Sequence, residues 1–447
     1  MTWHVRFIDK QLSQFREKLL GSSPLESGGI LICNGAQNEE LLVETVIAAG
    51  PNDLAQQKRS QVDFAPDFVA RHIKSARGHG RSIIFVHTHP LDKWPVFSAY
   101  DDDTERQLIP AVFKRVPVNA HGTLVLGVEG FSGRIYGTDG TVSPVSDLIE
   151  VGAQVISEFA GTDVGSFGDL FDRSVRAFGE RGQLSLSRMN VAIVGLGGTG
   201  SIVAQQLAHL GVKSITLVDD DVVEESNLNR VVGASLADVG DPKVDVAARM
   251  IQQISMGRVK TNAVSANILD LTGVNAILGK DFVFCCTDSH GSRAALNQLA
   301  YQFLTPVIDV GVRIDAIGGR IRAMAGRVQM LAPGLSCLVC QKLLDSEEVR
   351  RDLLSDEARR RDPYIVGATD PQPAVISLNG TVSSLGITMF LAAMVGIPSA
   401  PRRLNYRISD GIVKPVSSAP DPACVVCSSE RGVLAKGLSW PLMLRSK

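Results

Sequence analysis

The chain has 447 residues, more than a single hydrophobic core usually supports, so two domains are expected. Its composition, 45% hydrophobic and 21% charged with 42 glycines, is that of a globular α/β protein and excludes long disorder. A formal net charge of -2 excludes the basic footprint of a nucleic-acid or anionic-membrane binder.

The opening stretch MTWHVRFIDKQLSQF has no apolar run of signal-peptide length. The longest apolar helix candidate, LGITMFLAAMVGI, is shorter than a bilayer requires, and a cytoplasmic protein is expected. From residue 26 to about 140, the runs GGILIC, LLVETVIAAG, RSIIFVHTH and GTLVLGVEG read as strands, and DFVARHIKSAR reads as a helix. YGTDGTVSPVSD closes this first domain, assigned to residues 1–145, and a partly helical linker over 146–165 leads into a second domain over 166–447. There RMNVAIVG, GSIVAQQLAHLG, SITLVDDD, DPKVDVAARMIQQI, KTNAVSANI and DFVFCCTD follow as strand, helix, strand, helix, strand and strand. This order predicts a Rossmann-like, doubly wound, mostly parallel sheet. The run VRRDLLSDEARRRD is read as the solvated face of a helix or as a crossover.

The stretch FVHTHPLDKWPVFSAYDDD, residues 85–103, carries the first chemistry. Side chains alternate along a strand, so His87 and His89 project to one side and Thr88 to the other. Pro90 ends the strand, and the chain returns with Ser98 and Asp101. Two imidazoles and one carboxylate leave the fourth tetrahedral position of a zinc ion to water, the mark of a catalytic site, with Asp102 and Asp103 as alternative carboxylates. Proton transfer still needs a general acid/base, and Glu26 in ESGGILIC is the candidate. The plain alternative is two half-exposed histidines at a strand end.

The full string, a glutamate, then H-T-H-P, then S-x-x-D, resembles the JAMM (JAB) metalloprotease family, which removes ubiquitin or ubiquitin-like proteins and trims their C-termini. The resemblance covers about residues 15–140 and implies a JAMM-type sheet flanked by helices. It implies His87, His89 and Asp101 as zinc ligands, Glu26 as acid/base and Ser98 as stabiliser of the tetrahedral oxyanion. The interval from His89 to Ser98 is one residue longer than the family's usual spacing.

GLGGTG places Gly195, Gly197, Gly198 and Gly200 between strand and helix, where backbone N–H groups approach phosphates. This turn, with Asp219 beyond it, also satisfies the dinucleotide fingerprint, so an NAD-dependent dehydrogenase is the competing reading. Asn227, Arg230, Lys243 and Asp288 favour attack at an α-phosphate instead: two cations suit a phosphate chain, and a strand-end carboxylate suits magnesium. Asn227 and Arg230 also admit a plain reading as a helix cap and a surface arginine.

FDRSVRAFGERGQ, VAIVGLGGTGS, LVDDDVVEESNLNRV, DPKVDV, CTDS and QPAVISLNGTVSSLG together resemble the ubiquitin-activating enzymes in their simple homodimeric bacterial form, over about residues 168–430. The nearest types activate the sulfur carriers of molybdopterin and thiamine biosynthesis. The resemblance implies ATP bound by the glycine turn, with Asp219 at the ribose, Asn227, Arg230 and Lys243 on the triphosphate, and Asp221 among the nucleotide-binding residues. It also implies magnesium on Asp288, and Arg173 reaching into the neighbouring subunit's site.

Cys337, Cys340, Cys424 and Cys427 form two C-x-x-C pairs. Four thiolates close a tetrahedral zinc and leave no place for water, so this site is read as structural; a redox pair is the alternative.

Both chemistries act on the C-terminal tail of a ubiquitin-like protein. The chain is therefore read as a bacterial fusion of a zinc peptidase with an adenylyltransferase that activates such a protein's C-terminal glycine. A homodimer is expected, with a conjugating enzyme as a further partner where conjugation follows. A sulfur-carrier activator is the alternative. No cysteine lies in the crossover after the first C-x-x-C, where enzymes that pass cargo to a conjugating enzyme usually carry one. Thr369 and Ser377 are the alcohols near that region, and no thioester is expected.

Overall fold

The computed structural model describes residues 2–161, 167–355, 358, 373–397, 401–435 and 444–445. It divides into two compact units, Met1–Asp163 and Val164–Lys447.

The first unit runs β1 (Trp3–Ile8), α1 (Gln11–Leu20), β2 (Gly28–Gln37), β3 (Glu40–Ala48), β4 (Leu54–Gln57), β5 (Val62–Phe64), α2 (Pro66–His79) and β6 (Ser82–Thr88). It continues with α3 (Ala99–Arg115), β7 (Ala120–Leu126), β8 (Phe131–Gly137), β9 (Val142–Val151) and β10 (Val155–Phe159). Eight strands form one sheet in the order β1-β3-β2-β6-β7-β8-β9-β10, and β4 pairs with β5 separately.

Side-chain alternation along β2 and β6 splits the core into two layers. Leu31, Cys33, Ile84 and Val86 pack with Phe7 and with Leu12, Phe15 and Leu19 of α1. Ile30, Ile32, Ile83 and Phe85 pack against Phe68, Ile73 and Ala76 of α2 and Val112 of α3. The same parity carries His87 to the α2–α3 side and turns Thr88 inward, where it is fully buried.

The segment 146–165, expected as a linker, differs. Its first part completes β9, which pairs in parallel with β1, and Val155–Phe159 adds β10. β9 pairs antiparallel with its chain neighbours β8 and β10, but its place beside β1 depends on the long-range pairing of Val5 with Leu148 and Arg6 with Ile149, which no local pattern announces. The buried Arg6 on β1 pairs with Glu40 at 2.7 Å.

The second unit runs α4 (Asp172–Arg188), β11 (Asn190–Val194), α5 (Gly198–Leu210), β12 (Ser214–Val218), α6 (Lys243–Ser255), β13 (Lys260–Val264), α7 (Leu271–Ile277) and β14 (Phe282–Cys285). It continues with α8 (His290–Gln302), β15 (Val307–Ile317), β16 (Arg320–Leu331), α9 (Ser346–Asp352), α10 (Ile376–Met394), β17 (Arg403–Arg407) and β18 (Ile412–Pro415). The sheet order is β13-β12-β11-β14-β15-β16-β17-β18. Pairing is parallel from β13 to β15 and antiparallel beyond, so the sheet is mixed. The chain lays strands first to one side of β11 and then to the other. The crevice at its carboxyl end is where such sheets bind ligands.

α10 is 19 residues long and, by length and composition, apolar enough to cross a membrane. Over half of it is buried, against α5, β15 and β16, and its Phe390 meets Phe282 and Phe284 edge-on at 5.0 and 5.6 Å. These contacts are those of a core helix.

Candidate functional site

The β2–β6 ladder assembles the first cluster. Gly28 lies opposite His87, so Glu26, two residues back, meets His89, two residues forward. Thr88 locks this junction: its hydroxyl accepts from Ser27 N at 2.9 Å and donates to Ser27 O at 3.3 Å. The loop after Pro90 is tied down where Val128 N donates to Asp92 O, Glu129 N to Lys93 O and Ser132 Oγ to Pro95 O. It then enters α3 through Ser98, whose hydroxyl caps Asp101 N while Asp101 Oδ2 accepts from Ser98 N and Oγ, both at 2.7 Å.

His87, His89 and Asp101 thus converge, with one donor atom of each within 4.8 Å of the others. His87 Nε2 lies 3.2 Å from Asp101 Oδ1, and His89 Nε2 is 3.9 Å from Asp101 Oδ2 and 3.7 Å from Glu26 Oε1. His87 Nε2 is buried with no hydrogen-bond partner. An orphaned imidazole nitrogen beside a second imidazole and a carboxylate fits a zinc ion. Asp102 and Asp103, the alternative carboxylates, turn away to Arg134 and Arg106.

Burial raises the Glu26 carboxyl to about 7, against the charge of His87. Burial also lowers the His89 imidazole, with the His87 charge adding to it. Burial alone would raise Asp101, but the His87 imidazole beside it and the bonds from Ser98 hold it far below the usual carboxylate range. A carboxyl balanced near neutrality beside an ionised carboxylate is the division of labour that acid/base chemistry needs.

In the second unit, the turn between β11 and α5 is built from glycine. Gly195 takes a φ of +89°, and a Cβ on Gly200 would stand 1.8 Å from Gly195 O. Asp219, at the end of β12, accepts from Leu196 N at 2.5 Å and from Asp221 N at 2.8 Å, so the turn and the acid are fixed to each other. Burial raises the Asp219 carboxyl, opposed first by Lys243. Lys243 Nζ donates to Asp221 Oδ2 at 2.7 Å.

Asn227 Oδ1 accepts from Glu224 N and caps a short helical turn, and Arg230 Nη1 donates to Ser226 O at 2.6 Å. Asp288 is exposed just beyond β14. Arg173 is exposed on the first turn of α4 and forms no ion pair among the described residues. Two residues of α10 escape sequence reasoning: Asn379, whose amide lies directly over Gly198, and Ser383, whose hydroxyl donates to Thr199 O at 3.1 Å. Their spacing of four along one helix face is the signal that was present. Thr369 lies outside the described residues.

The four cysteines gather into one cluster, with Cys337 and Cys424 sulfurs 3.7 Å apart and Cys340 and Cys427 sulfurs 3.4 Å apart. No disulfide joins any cysteine. Cys337, Cys424 and Cys427 are buried, and Val426 N and Asp421 N point at sulfurs. Four clustered thiols fit a tetrahedral metal ion.

Residues 171–426 match the ThiF family, and residues 9–129 match prokaryotic homologs of the JAB domain. Over 134 residues the chain is 37% identical to the molybdopterin-synthase adenylyltransferase of Salmonella typhimurium, covering 30% of this chain and 53% of that protein. It is 38% identical over 122 residues to the SAMP-activating enzyme E1 of Haloferax volcanii, covering 27% of this chain and 44% of that protein. It is 44% identical over 85 residues to the tRNA threonylcarbamoyladenosine dehydratase of Bacillus subtilis, covering 19% of this chain and 34% of that protein. The chain thus spans about half or less of the length of each of these relatives.

Proposed function

The chain belongs to the ThiF family, with a domain of the prokaryotic JAB type ahead of it, and on that premise we propose that it both cuts and activates the C-terminal tail of a ubiquitin-like protein. The observation that carries this reading is the convergence of Glu26 on His87, His89 and Asp101 in a chain whose remaining length has an adenylyltransferase's relatives. In the first unit His87, His89 and Asp101 would hold zinc. When bound, zinc supplies Lewis-acid activation of water and of the scissile carbonyl. Glu26, balanced near pH 7, takes a proton and returns it to the leaving amine. Ser98 fixes Asp101 and, by turning its hydroxyl from Asp101, stabilises the oxyanion.

In the second unit the carboxylate of a C-terminal glycine attacks the α-phosphorus of ATP, forming an acyl-adenylate and releasing pyrophosphate. The N–H groups at the start of α5, with Arg230 and Lys243, bind the triphosphate, and Asp219 and Asp221 take the ribose. Asp288, exposed at the strand end, holds magnesium. Arg173 completes the site of a second copy in a homodimer. The four cysteines hold a structural zinc.

Two measurements test the proposal. Purified chain with candidate partners encoded beside it should release residues C-terminal to a glycine and, given magnesium, exchange labelled pyrophosphate into ATP. Exchange without any protein partner, or tight NAD binding without exchange, would sink the second half. The similarity to an adenylyltransferase of molybdopterin synthase favours a second reading, a sulfur-carrier activator. A partner recovered as a thiocarboxylate would select that reading.

A further inference from the structure

Three aspartates in a row, Asp101, Asp102 and Asp103, lie in the opening turns of α3, and one of them faces the histidines. We propose that Arg134, on β8, makes that choice: it grips α3 by Asp102 and Glu105 and so aims Asp101 at His87. The inference rests on the metallopeptidase reading above.

A helix turns about 100° per residue, so a rotation of α3 by one position would offer Asp102 in place of Asp101. Arg134 Nη1 donates to Asp102 Oδ1 at 2.6 Å and to Glu105 Oε2 at 3.0 Å. Residues three apart share a helix face, so one guanidinium holds two successive turns and fixes the helix about its axis. Tyr136, from the same strand, donates its hydroxyl to Glu105. The guanidinium carbon also lies 4.0 Å from the centre of the Phe97 ring. It therefore anchors the residue just before Ser98 as well, and Phe97 stands edge-on to His87 at 6.4 Å. Asp103 pairs with Arg106 of its own helix and contributes nothing to this grip. Arg134 acts through α3 and is a positioning residue.

The test uses the full chain with the four-cysteine site filled by zinc, after which cobalt(II) is titrated and its visible d–d absorption followed. His87→Ala identifies the absorption that belongs to the histidine cluster. Arg134→Met should weaken cobalt binding there about 10- to 100-fold and change the band shape, the usual effect of losing a residue that orients a ligand. Arg134→Lys keeps the charge opposite Glu105 but lacks the fork that spans two acids, and should recover part of the affinity. Should Arg134→Met fail to fold, Arg134→Lys decides, with an intermediate loss expected. Cobalt affinity and absorption equal to the unaltered protein in the deciding variant overturn the proposal, even where hydrolysis falls. Cobalt absorption in the unaltered chain that His87→Ala leaves unchanged would remove the metallopeptidase reading itself, and this inference with it.

Discussion

Gly28 stands directly opposite His87 in the β2–β6 ladder, and that register is what delivers Glu26 to 3.7 Å from His89 Nε2. A slip of one residue would turn Glu26 to the other face of the sheet. Under the proposed reading, in which Glu26 is the acid/base and His87, His89 and Asp101 are the donor set, Glu26→Gln should lower hydrolysis about 100- to 10,000-fold and leave bound zinc in the first unit unchanged. His87→Ala should lose metal and activity together. Hydrolysis that survives in Glu26→Gln would remove the acid/base assignment.

The Glu26 carboxyl also makes a stability prediction. Its pKa rises to about 7 on folding, from 4.5. The folded chain therefore holds a proton that the unfolded chain releases, so the stability contributed by this group is whole below pH 4.5 and lost as pH rises through 7. Glu26→Gln mimics the neutral carboxyl at every pH. In chelator-treated protein its melting should match the unaltered chain near pH 4.5. At pH 8 the variant should be more stable by on the order of 1 kcal/mol, a figure reduced for solvent access to the cluster. A gap that does not widen with pH would contradict the burial of this carboxyl.

The glycine turn separates folding from binding. A Cβ on Gly200 would stand 1.8 Å from Gly195 O, a collision with backbone that cannot relax cheaply, whereas a Cβ on Gly197 meets nothing within 4 Å. Gly200→Ala should lower stability by about 1–3 kcal/mol, seen in denaturant melts. Gly197→Ala should melt like the unaltered chain yet lose pyrophosphate exchange, since the open space over Gly197 is where a phosphate would approach. Full exchange in Gly197→Ala would take this turn out of the nucleotide site.

These cases also show what a sequence can reveal. The alternation in RSIIFVHTH was enough to put both histidines on one face, because strand parity is local. The S-x-x-D spacing names Asp101 and leaves Asp102 and Asp103 open; what the string does not carry is the contact that occupies Asp102, since Arg134 comes from a distant strand. The sheet role of residues 146–159 was hidden for the same reason, since β1 and β9 come from opposite ends of the first unit. Asn379 over Gly198 arises from α10 packing on α5, a tertiary contact that the glycine turn does not encode.

The cysteine cluster predicts a second metal dependence. Four thiols within reach of one ion and without a disulfide should hold about one zinc per chain that resists mild oxidants. Zinc bound by such sets contributes about 10–16 kcal/mol at pH 7 in small folded units, so Cys424→Ser should release the ion and melt the region it ties together. Metal content and calorimetry of the full chain test this. A variant that keeps zinc and melting temperature would show that Cys424 is not a ligand.

The last prediction concerns how the adenylate leaves. A transfer cysteine must be an accessible thiolate, and the candidates here are neither. Burial drives Cys285 well above the ordinary thiol range and Cys286 to about 12, with the Asp309 carboxylate adding to both. At pH 8 such a Cys286 is thiolate in about one molecule in ten thousand. Burial raises Cys33 as well, and it lies in the other unit. The remaining four gather in the metal cluster. Ser377 is exposed on the first turn of α10, but no histidine is hydrogen-bonded to it among the described residues, so its hydroxyl lacks the base that an alcohol nucleophile needs. The adenylate should therefore pass directly to a nucleophile on a partner, with an oxyester on Thr369 as the alternative acceptor. Incubation with ATP, magnesium and the mature partner, followed by non-reducing gel and intact-mass analysis, should show no adduct that thiols reverse. An adduct cleaved by thiols and lost in Cys286→Ala would overturn this and make the buried strand-end cysteine the acceptor, which would require β14 to open during turnover.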